Sequence, residues 1–205
     1  MVAADHGVFV TNYLTFPVYT HPLSIPEVLN YAPEIGVPGF VLYCLYFPPK
    51  GHEPCHVVAS GKRMPNGIEI SPDGTRVFIM ESLGQSVSAY DVPAHQHRTK
   101  GWRLQHRKTL RLGHVCDNLS IDQTGRIWTG CHPKALTYKF LHAKNQAFRS
   151  PSLVLSFDQE LEAAREVPEI SYTYIHTYIC TVPCSLKQGR AASFVGGVQS
   201  PPPPS

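Results

Sequence analysis

Asn12, Asn66, Asp117 and Asn118 are the residues whose types and spacing could do chemistry together. Asn66 follows Asn12 by 54 positions, and Asp117 follows Asn66 by 51. Each offers a side-chain oxygen, three from amide carbonyls and one from a carboxylate. Hard cations take such ligands, and Ca²⁺ gathers roughly six to eight oxygens in a flexible shell that includes amide carbonyls. The set is too weakly charged and too poor in nitrogen for zinc. From the residues alone, two outcomes stand: a calcium site, or Asn and Asp that merely open β-turns.

The elements that must position these residues are short strands. Around Asn66, Ile68 and Ile70 alternate with Glu69 and Ser71 at the two-residue period of a strand with differently solvated faces. Pro72-Asp73-Gly74 makes the turn: Pro pre-sets φ, Asp bonds its own backbone, and Gly takes a positive φ. Val77, Phe78 and Ile79 return as a strand apolar enough to be covered on both faces. The phrase recurs at residues 117–129, where Leu119 and Ile121 take the places of Ile68 and Ile70. Residues 7–12 read as a third copy of the inner strand, again ending on Asn. A period near fifty built from short strands is the signature of propeller blades, whose innermost strands line a central channel.

Composition bounds the rest. A chain of 205 residues with 42% hydrophobic and 16% charged residues suits a globular β protein. A net charge of +3 is too small to imply a nucleic-acid or membrane partner. The longest apolar run, residues 40–47, fits a buried strand and falls far short of a bilayer span. The N-terminus lacks the layout of a signal peptide. Cys44, Cys55, Cys116, Cys131, Cys180 and Cys184 form no CxxC pair and no zinc-like spacing, so they read as isolated buried thiols behaving as small hydrophobes.

In chain order, five prolines make residues 13–38 an irregular loop or insertion, with a short helix over 25–31 behind Ser24. Residues 39–47 and 55–60 read as opposing strands, and 85–92 as the strand that completes a four-stranded blade. Residues 102–112 read as a basic extended arm, and 135–141 and 152–157 as further strands. Residues 159–166 carry the one helical pattern, with Asp158 as N-cap. Residues 170–205 contain no Asp or Glu and end in Pro-Pro-Pro-Pro-Ser, which reads as a divergent, disordered tail. The domain expectation is a partial propeller over 1–157, a short helix or linker over 158–169, and that tail.

Weaker candidates have plainer readings. His95-x-His97 sits in a polar loop without the further ligands a metal needs. Arg98, Lys100, Arg103, Arg107, Lys108 and Arg111 could meet an anionic surface, but a solvated outer strand explains them. Asp5-His6 has no nucleophile at a recognised spacing. His132 reads as a turn histidine.

Three motifs in order resemble the serum paraoxonase/arylesterase family: residues 65–74, Val115-x-Asp117-Asn118-x-Ser120-x-Asp122, and Gly130-Cys131-His132-Pro133. Val10-Thr11-Asn12 is consistent with that family's preceding motif. The resemblance covers residues 7 to about 157, loosely between 13 and 54. It implies a six-bladed β-propeller holding one catalytic and one structural calcium ion, and hydrolysis of aryl esters, lactones and, in some members, organophosphates. By position it places Asn12, Asn66, Asp117 and Asn118 among the ligands of the catalytic calcium and His132 near the cleft. It also implies an acidic ligand of the structural ion directly after the first Asn; here that residue is Tyr13, whose phenol cannot replace a carboxylate. The family's remaining catalytic-calcium carboxylate, its proposed histidine base and the N-terminal half of its disulfide belong to a first blade that this chain does not show. The expectation is therefore an all-β, N-terminally truncated member with three to four of six blades, possessing a calcium-dependent ester or lactone hydrolase site that is inactive as a fragment. The alternative is a non-catalytic propeller piece used as a binding module. A small-molecule ester or lactone is the expected partner. A secretory or extracellular address is implied by the resemblance alone.

Overall fold

The computed structural model describes residues 1–4, 6–13, 39–94, 101–134 and 151–167. Among these the chain is all β, in twelve strands. The first sheet holds β1 (Val2–Ala4), β2 (Gly7–Asn12), β3 (Gly39–Leu45) and β4 (Cys55–Lys62) in that order. The second holds β5 (Pro65–Ile70), β6 (Arg76–Glu81), β7 (Ser86–Asp91) and β8 (Gln105–Arg111). The third holds β9 (Val115–Ile121), β10 (Ile127–His132), β11 (Leu153–Phe157) and β12 (Arg165–Glu166). Neighbours pair antiparallel throughout, so each sheet is a four-stranded meander, the blade of a propeller. β5 packs beside β9 on one side and beside β1 and β2 on the other, so the first strand of each blade lies innermost.

The middle sheet is covered on both faces because β6 is apolar from Val77 to Met80. Val77 and Ile79 enter a core with Phe9, Val41 and Tyr43 of the first sheet and with Trp102 of the β7–β8 connection. Phe78 and Met80 point the other way, into a core with Leu119, Ile127, Leu155 and Phe157 of the third. All four are fully buried. By contrast β8 is exposed along almost its whole length, as an outermost strand should be.

The two repeated hairpins turn on the same device with different residues. Gly74 N–H donates to Ser71 O at 2.8 Å and Gly125 N–H to Asp122 O at 3.0 Å, both glycines at positive φ. Asp73 accepts from the Ser71 hydroxyl and from the N–H and hydroxyl of Thr75, which brings its carboxyl down to about 2. Burial works against the charge of Asp122, but bonds from Thr124, from Trp128 Nε1 at 2.7 Å and from Arg126 N–H hold its pKa below the usual value. The second turn closes one residue sooner: Asp122 N–H bonds Arg126 O, whereas Ser71 N–H bonds Arg76 O.

Four sequence expectations are corrected. Residues 7–12 form the second strand of their blade, because Val2–Ala4 pairs inside them. The strands at 39–45 and 55–62 belong to that same sheet, and the blade of the central hairpin is completed by β8. The basic stretch forms the solvated outer strand β8, as read from the sequence, with Trp102 and Leu104 buried before it and Arg107 pairing with Asp91 at 3.4 Å and Glu160 at 3.8 Å. Residues 159–166 make no helix. Leu161 takes φ 51° and buries its side chain in the second core, after which the chain extends and pairs with β11. Four of the cysteines are not thiols: Cys44–Cys55 and Cys116–Cys131 are disulfides between directly facing residues of neighbouring strands. The helix at 25–31, the strand at 135–141, His95, His97, Asp5, Cys180, Cys184 and the tail lie outside the described residues.

His56 packs edge-on against Tyr43 and Trp102. Burial, then the Arg103 cation, lowers its pKa from the ordinary histidine value. The fold thus favours neutral imidazole, and the unfolded chain binds the extra proton. The contribution is complete above about pH 6.5 and shrinks as pH falls through the unfolded value toward the lowered folded one. Urea titrations from pH 7 to pH 5 should show part of the acid destabilisation vanish in His56→Phe. Replacing both Cys44 and Cys55 by Ser should lower the unfolding free energy by about 3 kcal/mol, the loop-closure value for a ring of this size.

Candidate metal centre

β5 and β9 begin with the same interruption. Pro65 faces Glu81 and Ile68 faces Ile79, so β5 carries one residue more than β6 across that span. Cys116 faces Cys131 and Leu119 faces Thr129, the same surplus on β9. The extra residue falls within Asn66-Gly67 in one strand and Asp117-Asn118 in the other. A bulge bends its strand and re-aims the side chains on it. Both repeats therefore depart from regular pairing at the polar pair that the sequence singles out.

The bulges lie against each other. A Cβ on Gly67 would stand 2.6 Å from Asp117 O and from Leu119 N, and 2.8 Å from Asn118 C. Only a residue without a side chain permits this approach. Asn12 reaches the same end of the molecule by a different route. It closes β2, which runs antiparallel to β1, so its end lies beside the start of an innermost strand. Thr11 Oγ1 donates to Asn66 O at 2.7 Å, and a Cβ on Gly39 would stand 2.3 Å from Pro65 Cδ and 2.5 Å from Asn12 O. The structure thus brings the backbones of Asn12, Asn66, Asp117 and Asn118 to one end of three adjacent blades, each residue half-buried.

Asn66, Asp117 and Asn118 offer oxygen with one negative charge, and Asn12 adds a fourth oxygen from the neighbouring blade. This donor set fits a hard cation and suits no soft one. Among the described residues no three His, Cys, Asp or Glu side chains gather as an alternative metal cluster. Tyr13, which follows Asn12, is 39% exposed. His132 ends β10 opposite Val115, at the same end of the third sheet as the Asp117 bulge.

The supports of this centre are absent from the sequence reading. Glu81 Oε2 accepts from Arg63 N–H at 2.8 Å, and Oε1 lies 3.4 Å from Lys62 Nζ. Lys62 also donates to Tyr90 OH; burial opposes its charge, but Tyr90 and Glu81 together raise its pKa. Ser82 bonds both the 64 and 116 carbonyls. The bonds from Lys62 to Glu81 and Tyr90 and from the Ser82 hydroxyl to Cys116 join different blades, so no local spacing announces them. The disulfide partner of Cys116 was equally hidden, although both cysteines lie in the recurring hairpin.

The arylesterase family pattern matches residues 27–179, more than half of the chain. A stretch of 104 residues is 36% identical to serum paraoxonase/arylesterase 1 of Homo sapiens, covering 50% of this chain and 27% of that protein. Eighty residues are 44% identical to serum paraoxonase/arylesterase 2 of Gallus gallus, covering 38% of this chain and 21% of that one. Serum paraoxonase/lactonase 3 of Homo sapiens is 30% identical over 95 residues, 46% of this chain and 24% of its own length. The chain spans about a quarter of the length of these curated relatives. Among solved structures, a hypothetical selenium-binding protein from Sulfolobus tokodaii aligns with TM-score 0.42 and 12% identity over 63% of this chain and 35% of its own. The calcium-binding protein regucalcin from Agrobacterium tumefaciens aligns with TM-score 0.38 and 18% identity over 63% and 37%. The family match begins after Asn12 and runs beyond residue 157, where the motif resemblance ends.

Gly67→Ala tests the contact between the bulges. The added methyl group meets backbone rather than a side chain that could swing away, so overpacking should cost about 1–3 kcal/mol. A urea midpoint equal to that of the unaltered chain would show that β5 and β9 do not touch there.

Proposed function

The chain belongs to the arylesterase family, and from that membership we propose that it carries the cation-binding part of a calcium-dependent hydrolase of aryl esters and lactones. The observation that supports this most is the pair of matching bulges at Asn66-Gly67 and Asp117-Asn118, set against each other across two blades. The names of the paraoxonase, arylesterase and lactonase relatives agree with the substrate class.

In this reading Asn12, Asn66 and Asn118 supply amide oxygens, and Asp117 supplies the one carboxylate. Bound there, calcium would offer Lewis-acid polarisation of an ester carbonyl and stabilise the negative charge developing on its oxygen. The residues' own work is to hold that shell in place from three blades and to leave one side open to an ester or lactone. Half-burial of all four suits both demands, since fully buried ligands could not share the ion with a substrate. Tyr13 brings no carboxylate to the position after Asn12, so the proposal contains one calcium and not a second structural one.

No residue of this chain is assigned as the base. That favours, as a second reading, a propeller piece that binds calcium or a ligand without turnover. The two separate in one set of measurements. Calorimetric titration with Ca²⁺ should reveal a single site, weakened at least about a hundredfold in Asp117→Ala because ligand charge governs affinity in such shells. Hydrolysis of phenyl acetate or a γ-lactone that stops on chelation supports the enzyme; calcium binding without turnover supports the binding module. A chain that takes up no Ca²⁺ at millimolar concentrations removes the calcium reading altogether.

A further inference from the structure

The turn that joins β6 to β7 sits behind both bulges, and one of its residues touches the approach to each. Ser82 N–H donates to Met64 O at 3.0 Å, two residues before Asn66. Ser82 Oγ–H donates to Cys116 O at 2.6 Å, one residue before Asp117, in a fully buried contact. Ser82 itself is 2% exposed. Met64 lies one residue beyond the Pro65–Glu81 pair of β5 and β6, and Cys116 stands where the regular pairing of β9 fails. Met64 has φ 58°, and Cys116 is the last paired residue before the surplus residue of β9. A bulge leaves the ladder locally disrupted, and a buried carbonyl there needs a partner from elsewhere. The Ser82 hydroxyl supplies it to Cys116 from the neighbouring blade, while its amide bonds Met64 within its own blade.

We propose that Ser82 is a positioning residue for the cation shell, which rests on the calcium reading above: through its amide and its hydroxyl it fixes the separation of the Asn66 and Asp117-Asn118 bulges. The two groups belong to one residue, so the span between the carbonyls they hold is set by covalent geometry rather than by long side chains. Glu81, the preceding residue, reinforces the β5 side by accepting from Arg63 N–H. The disulfide from Cys116 to Cys131 holds the same residue within its own blade, and Ser82 adds a side-chain bond to it from the middle blade, beside the Gly67 contact. Ser82 does not touch the cation; it acts through the backbone that carries the ligands.

The test uses the full 205-residue chain and Ca²⁺ as the probe, by isothermal calorimetry, with circular dichroism as the check on folding. Ser82→Ala removes the hydroxyl bond and keeps the amide. It should weaken Ca²⁺ binding about 10- to 100-fold, the range seen when groups that orient metal ligands are removed. Ser82→Thr keeps the hydroxyl and should restore most of the affinity. Ser88→Ala is the control: that hydroxyl is equally buried in the same sheet, bonds Thr109 at 2.8 Å, and does not contact either bulge. It should lower the melting temperature without changing Ca²⁺ affinity, which a general loss of stability in Ser82→Ala would not do selectively. If Ser82→Ala fails to fold, Ser82→Cys keeps the volume with a weaker donor and decides the matter: reduced affinity upholds the proposal and unchanged affinity overturns it. A chain that binds Ca²⁺ equally well with Ala at 82 overturns the role of Ser82 while leaving the calcium reading intact. An unaltered chain that binds no Ca²⁺ overturns both.

Discussion

The arrangement of this molecule depends on the close approach of two backbones at Gly67. With any side chain there, β5 could not lie against Asp117, Asn118 and Leu119, because a Cβ would fall well inside van der Waals contact with peptide atoms. Backbone, unlike a flexible side chain, cannot move aside without disturbing the strand that it builds. The contact therefore fixes the relation of the second blade to the third at the end that carries Asn66, Asp117 and Asn118. Thr11 and Gly39 do the corresponding work between the first blade and the second.

The remainder of the structure keeps those contacts from slipping. β6 sends alternate apolar side chains into the two cores, so the middle blade is gripped from both faces by burial that no polar partner interrupts. At the far end of each hairpin, Asp73 and Asp122 saturate their carboxylates with turn hydroxyls and N–H groups, which pins the length of the connection. The disulfides Cys44–Cys55 and Cys116–Cys131 tie facing strands within a blade. Between blades the ties are polar instead: Lys62 to Glu81, Glu81 to Arg63, Ser82 to Cys116. Covalent and hydrophobic terms thus hold each sheet and stack the sheets, while directional bonds set their fine alignment. The proposed oxygen shell needs that alignment most, since its four ligands arrive on three strands, β2, β5 and β9.

Membership of the arylesterase family and the proposed cation shell meet in the same residues, described in two ways. One is a pattern of residues along the chain. The other is the placement of amide and carboxylate groups by two irregular strands, which the pattern does not describe. The proposal of one calcium ion rather than two rests on Tyr13, a phenol at the position after Asn12.

The sequence by itself determined the local elements, because alternation and turn chemistry act over a few residues. Ile68 and Ile70, the Pro72-Asp73-Gly74 turn and the uninterrupted Val77–Met80 run admit one hairpin, and the copy at 117–129 admits another. It also marked Asn12, Asn66, Asp117 and Asn118 as polar residues recurring at blade spacing. What it left open was register. Continued regularly from Ile121 and Ile127, the hairpin would set Cys116 opposite His132 and turn Cys131 to the other face; the surplus residue at 117–118 shifts the pairing by one and makes the disulfide possible. A shift of one residue reverses every side chain beyond it, and no propensity announces it. The assignment of residues 7–12 to a second strand turns on a short local partner, Val2–Ala4, whereas the extended path of 159–166 around buried Leu161 and the reach of Ser82 to Cys116 were settled by packing between segments far apart in the chain. Such contacts exist only once the blades have stacked.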